Sequence, residues 1–87
     1  MDRQLIKEKI RTVIVAAVKH DNFVISEELS AVDVEGWDSL SHMIIIHGIE
    51  ETFQIKFKLK ELNKIINMGD LIELVVAKLK TTNNNVV

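Results

Sequence analysis

The apolar residues Leu40, Met43, Ile45, Ile46, Ile49 and Phe53 recur at three- and four-residue intervals, and Glu50, Glu51 and Gln54 break the run. That repeat belongs to an amphipathic helix and not to a strand, and it predicts a helix over residues 39–53. Asp38 is the natural N-cap, which makes Ser39 the first helical residue. Gly48 inside this helix costs about 1 kcal/mol relative to alanine. Its presence predicts a close approach by another element.

Two further stretches carry the same period. Over residues 2–19 the apolar positions are Ile6, Ile10, Val13, Ile14, Ala17 and Val18, with Asp2 as a possible cap and Lys19 and His20 at the C-terminal end. In the last third, NMGD at residues 67–70 reads as a capping-box-like start, Asn67 as cap and Asp70 three residues on. The helix that follows is expected to turn Leu71, Leu74, Val75 and Leu79 inward. Between these lie a short helix over 59–66, with Leu59, Leu62, Ile65 and Ile66 inward, and a long irregular stretch over 21–38. The latter holds Asp21, Asn22, Ser26, Ser30, Asp33 and Gly36, with a helical turn expected near Ser26–Leu29. Phe23, Val24, Leu29, Val32 and Val34 are there to pack so long a loop.

The fold class is therefore all-α: a four-helix bundle, long, long, short and medium, with a long loop between the first two helices. At 87 residues the chain has room for one core. Residues 1–80 are read as a single domain and 81–87, TTNNNVV, as a frayed, disordered polar tail. Hydrophobic residues make up 47% and charged residues 28%, an ordinary globular balance. There is no cysteine, so the side chains supply neither disulfides nor thiolate chemistry. No signal-like apolar stretch follows Met1, and the longest uninterrupted apolar run, Val13–Val18, is far too short to span a membrane. A cytoplasmic monomer is expected. A net charge of −2 argues against nucleic acid as partner. Lys56, Lys58, Lys60 and Lys64 crowd one stretch with a single acid, Glu61, which is read first as a solvated face.

Ser39 admits three readings. As a hydrolase nucleophile it needs a base and an oxyanion hole. The G-x-S-x-G elbow is absent, and His42, one turn away, has no evident group to orient it. As a purely structural residue it helps to satisfy the orphan N–H groups of the helix start. As a modification site it projects a hydroxyl from rigid structure, where a phosphate meets the positive end of the helix dipole. A modifying enzyme then supplies the base.

From WDSLSHMIII onward the chain resembles the acyl carrier proteins. The D-S-L triplet is followed by an apolar helix ending in I-E-E-T-F, a short-helix segment, and the G-D-L-I-E-L start of a last helix. The resemblance implies that Ser39 carries 4′-phosphopantetheine, installed from coenzyme A by a phosphopantetheinyl transferase. The arm's thiol then holds acyl groups as thioesters, which makes the protein a non-catalytic carrier. It also implies that Asp38 flanks the attachment site and contacts the transferase. Leu40, Met43 and His47 would lie along the partner-facing side, joined by Ile44. Ile45, Ile49 and Phe53 would face an interior where short acyl chains shelter. Glu50 and Glu51 match the acidic pair that basic partners recognise. Expected partners are the transferase and acyl-activating, acyltransferase or synthase enzymes.

The pattern departs from that family in places. Ser41 and Ile44 stand where acids are common, and Lys56, Lys58 and Lys60 follow the helix. This favours a dedicated carrier of a specialised acyl, polyketide or aminoacyl pathway over a generic role in fatty acid synthesis. The alternative is an unmodified module of the same fold that binds a protein partner through helix 39–53. Trp37 is read as an anchor for the loop, and Gly36 as a turn residue needing positive φ. His42 and His47, five apart, are poorly spaced for a metal, and His42 lies close to any phosphate on Ser39.

Overall fold

In the computed structural model, which describes residues 2–84 and the side chains of residues 2–80, four α-helices follow one another. They are α1 (Arg3–Val18), α2 (Ser39–Phe53), α3 (Leu59–Leu62) and α4 (Met68–Asn84). The two best-patterned helices begin where their caps stand. Asp2 accepts the Leu5 N–H at 2.9 Å, and Asp38 accepts that of Ser41 at 2.9 Å. Both end on a residue in the left-handed conformation, Lys19 at φ 66° and Gln54 at φ 56°. These residues close the last turns by donating to Val15 and Glu50 carbonyls.

The core is a three-helix seam. Ile6, Ile10 and Ile14 of α1 meet Ile45, Ile49 and Phe53 of α2 and Leu71, Ile72 and Val75 of α4. α1 packs against both other long helices. Gly48 marks the closest α1–α2 approach, where a Cβ would sit 2.8 Å from Cγ1 of Val13.

The long loop is fixed at several points. A hydrogen-bonded turn covers Ser26–Leu29, as expected. The helical turn, however, is a separate 3₁₀ element at Ala31–Asp33. There the Ser30 N–H and hydroxyl both donate to Asp33 Oδ2, at 3.0 and 3.1 Å. The loop carbonyls of Leu29 and Glu27 accept the Met68 and Gly69 N–H groups at 2.7 and 2.9 Å, satisfying orphan donors of α4. Arg3 adds ion pairs to Glu27 and Glu73.

Five inward assignments fail: Val24 and Val32 of the loop, which are exposed because Phe23, Leu29 and Val34 supply its packing, and Leu59, Ile66 and Leu74 further on. α3 is a single turn, so the 3.6-residue repeat does not extend to Ile66, and Leu59 and Ile66 are 74% and 78% exposed. In α4 Ile72 is buried together with the expected Leu71 and Val75, while Leu74 is half-buried and lines an open groove against α3. The last helix is also the longest, at 17 residues, and its backbone continues through positions 81–84. Residues 85–87 of the expected tail lie outside the described residues. At Asn67 the cap forms as read, since its Oδ1 accepts the Asp70 N–H at 3.0 Å. Asp70 reaches back one residue further than a regular box, to the Ile66 N–H.

Candidate functional site

The segment before α2 places the site. Gly36 has φ 88°, a conformation that strains a residue with a Cβ, and its carbonyl accepts from both the Asp38 N–H and the Ser41 hydroxyl. The Ser41 bond, at 2.7 Å, ties the turn to the first turn of the helix. Asp38 holds the cap, and the Ser41 backbone N–H keeps its carboxyl below the usual range.

With these roles filled, Ser39 is left over. It is exposed on the first turn of α2, and its hydroxyl has no hydrogen-bond partner among the described residues. The capping reading of Ser39 falls to Asp38. The nucleophile reading loses its base. The Trp37 indole, which can only donate, gives its N–H to Nδ1 of His42 at 3.2 Å. The neutral imidazole then carries its proton on Nε2 and has no free lone pair to take one from Ser39. Trp37 is half-buried against the core, the anchoring role expected of it.

Two hollows adjoin here. An open depression is lined by Ala31, Trp37, Asp38, Ser39, His42 and Met43. Beneath it lies a small apolar cavity of about 70 Å³, where Leu29, Trp37, Ile46, Ile65 and Leu71 converge. A larger groove, bordered by Glu61, Lys64, Asp70 and Glu73, opens between α3 and α4 on mixed charges away from Ser39. Among the described residues no group of three His, Cys, Asp or Glu could hold a metal ion, and no helix is long and apolar enough to cross a membrane.

The remaining site residues divide. Leu40, Met43 and Ile44 are 72%, 62% and 50% exposed, on the outward side of α2 where the resemblance puts them. His47 and Glu51 are exposed and pair at 2.8 Å. Glu50 differs, since its Oε2 accepts the Phe57 N–H at 2.8 Å and clamps the segment after α2. The acidic pair is thus one surface acid and one structural acid. Along 55–58 the chain alternates, Ile55 and Phe57 inward, Lys56 and Lys58 outward. Sequence reasoning missed the Trp37–His42 and Glu50–Phe57 bonds, because neither follows a helical repeat.

Three long helices and a one-turn α3, with an exposed hydroxyl on the first turn of α2, make a carrier-type helical domain. Comparison with known proteins makes this specific. The chain is 30% identical over 73 residues to the acyl carrier protein of Clostridium acetobutylicum, covering 84% of this chain and 95% of that one. It is 29% identical over 77 residues to that of Thermotoga maritima, covering 88% and 95%. The solution structure of a holo acyl carrier protein from Geobacter metallireducens superposes with a TM-score of 0.82 at 39% identity, over 88% of each chain. No family model matches the chain. The chain belongs to the acyl carrier protein family, whose members are carriers and not catalysts.

Proposed function

We propose that Ser39 is the attachment point of a 4′-phosphopantetheine arm and that the protein delivers thioester-bound intermediates to partner enzymes. The observation that carries this reading is the exposed, unbonded Ser39 hydroxyl, with the cap supplied by Asp38 next to it. The chain fits the group. Its hydroxyl is accessible, and an apolar cavity lies beside it. The arm supplies the thiol that a chain without cysteine lacks. Attachment forms the bond from Ser39 Oγ to the pantetheine-side phosphorus of coenzyme A as the bond from that phosphorus to the diphosphate bridging oxygen breaks; adenosine 3′,5′-bisphosphate leaves, and the hydroxyl proton passes to a base on the phosphopantetheinyl transferase. The protein contributes position and exposure.

The partner surface is assigned to Leu40, Met43, Ile44, His47 and Glu51, with Asp38 beside the transferase. Glu50 supports this surface from behind through Phe57. Exposed Ile44, together with exposed Lys56, Lys58 and Lys60, gives a mixed apolar and charged face in place of a uniformly acidic one. That supports a dedicated carrier serving its own acyl-activating, acyltransferase or synthase enzymes in a specialised pathway.

Incubation with coenzyme A and a broad-specificity transferase is expected to add the mass of one phosphopantetheine, and Ser39→Ala to abolish the gain. A wild-type chain left unmodified by several competent transferases overturns the assignment. Intact mass of protein from its own cells would identify the cargo.

A further inference from the structure

The Trp37–His42 bond takes no part in capping α2, yet it fixes two rings that stand between the two hollows. His42 lies one turn after Ser39, on the same side of the helix, and both residues line the open depression. His42, Trp37 and Ala31 also line the apolar cavity below. The pair therefore forms a sill between the attachment point and the cavity.

The polar inventory of the depression is short. Among the described residues Asp38 carries its only charge, and that carboxylate already accepts from the Ser41 N–H. The Trp37 N–H is spent on Nδ1 of His42, at 3.2 Å. Among the described residues no cationic side chain lines either hollow to meet a phosphodiester. The unspent donor in the depression, Ser39 itself apart, is Nε2–H of His42, and the Trp37 bond determines that the proton sits there.

We infer that His42 is a positioning residue for the arm. Its Nε2–H, held by Trp37, donates to a non-bridging oxygen of the phosphodiester on Ser39 and turns the root of the arm toward the apolar cavity. The inference rests on the assignment of Ser39 as the attachment point. Because the anion gains a directed donor on the cavity side, the loaded arm leans over the sill instead of ranging freely through solvent. The cavity, at about 70 Å³ against the ~30 Å³ share of a liquid water, admits only the start of a chain in this arrangement.

The test uses the phosphopantetheinylated protein as wild type, His42→Leu and His42→Gln, with loading checked by intact mass. Phosphorus NMR reads the environment of the phosphodiester. Cross-relaxation between the pantetheine gem-dimethyl protons and the Trp37 ring reads the direction of the arm. Wild type is expected to show the Trp37 contacts and a changed ¹⁵N signal for His42 Nε2 on loading. His42→Leu should lose the contacts and shift the phosphorus resonance, and His42→Gln, which keeps an N–H near the Nε2 position, should restore both. The inference is overturned if loading leaves the wild-type Nε2 signal unchanged, a measurement that needs no variant. It is equally overturned if Leu and wild type give the same phosphorus resonance and the same contacts. A loaded protein with these negative results leaves Ser39 in place and removes His42 alone, whereas no mass gain on wild type removes both.

Discussion

A methyl group on Gly48 would lie 2.8 Å from Cγ1 of Val13, closer than two carbon atoms can sit without displacement. Two effects therefore oppose each other in Gly48→Ala. Helix propensity favours alanine by about 1 kcal/mol. Overpacking costs about 1–3 kcal/mol, and Val13 yields little because a β-branched side chain in a helix has one preferred rotamer. The clash should win, lowering stability by about 1 kcal/mol and the thermal midpoint by roughly 4–8 °C. In a Val13→Ala background the same change should become stabilising. A thermal double-mutant cycle over the four proteins checks this, and additive effects would show that the helices do not meet at this pair.

Asp38 and Glu61 predict how the fold responds to acid. The Ser41 backbone N–H holds the Asp38 carboxyl down, and the Lys78 ammonium, at 2.8 Å, does so for Glu61. A folded value below the unfolded one means the unfolded chain binds protons first as pH falls. Their contribution is thus complete above the ordinary carboxylate range of about pH 4 and disappears as pH drops through the depressed folded values. Asp38→Ala should lower the neutral-pH midpoint by about 5 °C, whereas Asp38→Asn, an equally good cap, should retain most of it. Both substitutions should flatten the loss of stability below pH 4 seen by circular dichroism. A variant as acid-sensitive as wild type would rule out Asp38 as a source of that loss.

What the sequence disclosed depended on how far a repeat extends. α2 was legible to the residue, because a cap, a long apolar period and an acidic break agree over Ser39–Phe53. That the cap does not need the Ser39 hydroxyl was legible for the same reason, since Asp38 occupies the capping position. Leu59 and Ile66 misled because a one-turn helix has no period to extrapolate. Leu40 and Met43 show the limit of the repeat by itself. They fit the helical repeat, yet they are exposed, and only the resemblance set them on the outward side. The His42 ring and the Glu50 carboxylate find partners through tertiary placement, which no spacing rule encodes.

Glu50 and Glu51 are adjacent in sequence and should behave oppositely. Glu50 accepts the Phe57 N–H at 2.8 Å in a half-buried setting. Glu50→Ala removes a charged acceptor from a backbone donor and should cost about 1.5–3 kcal/mol. Glu51 is exposed and pairs only with exposed His47, so Glu51→Ala should stay within about 0.5 kcal/mol of wild type. Urea unfolding of the two variants separates them. Equal losses would mean that the Phe57 bond does not clamp the segment after α2.

Ser39 and Ser41 supply the sharpest contrast, because they share a turn and differ in what their hydroxyls do. Ser41 donates to the Gly36 carbonyl at 2.7 Å and so braces the turn that precedes the helix. Ser41→Ala should cost about 1 kcal/mol and shift the urea midpoint down, yet the protein should still accept the arm. Ser39→Ala removes an exposed hydroxyl with no partner among the described residues and should leave the unfolding curve within about 0.5 kcal/mol of wild type. It should nonetheless abolish loading completely, since Ser41 faces the turn and cannot substitute. The two measurements, unfolding and intact mass after transferase treatment, should therefore cross: the less stable variant is loaded and the fully stable one is not. If Ser39→Ala were destabilised as much as Ser41→Ala, the hydroxyl of Ser39 would belong to the fold, and its exposure would no longer argue for a handle.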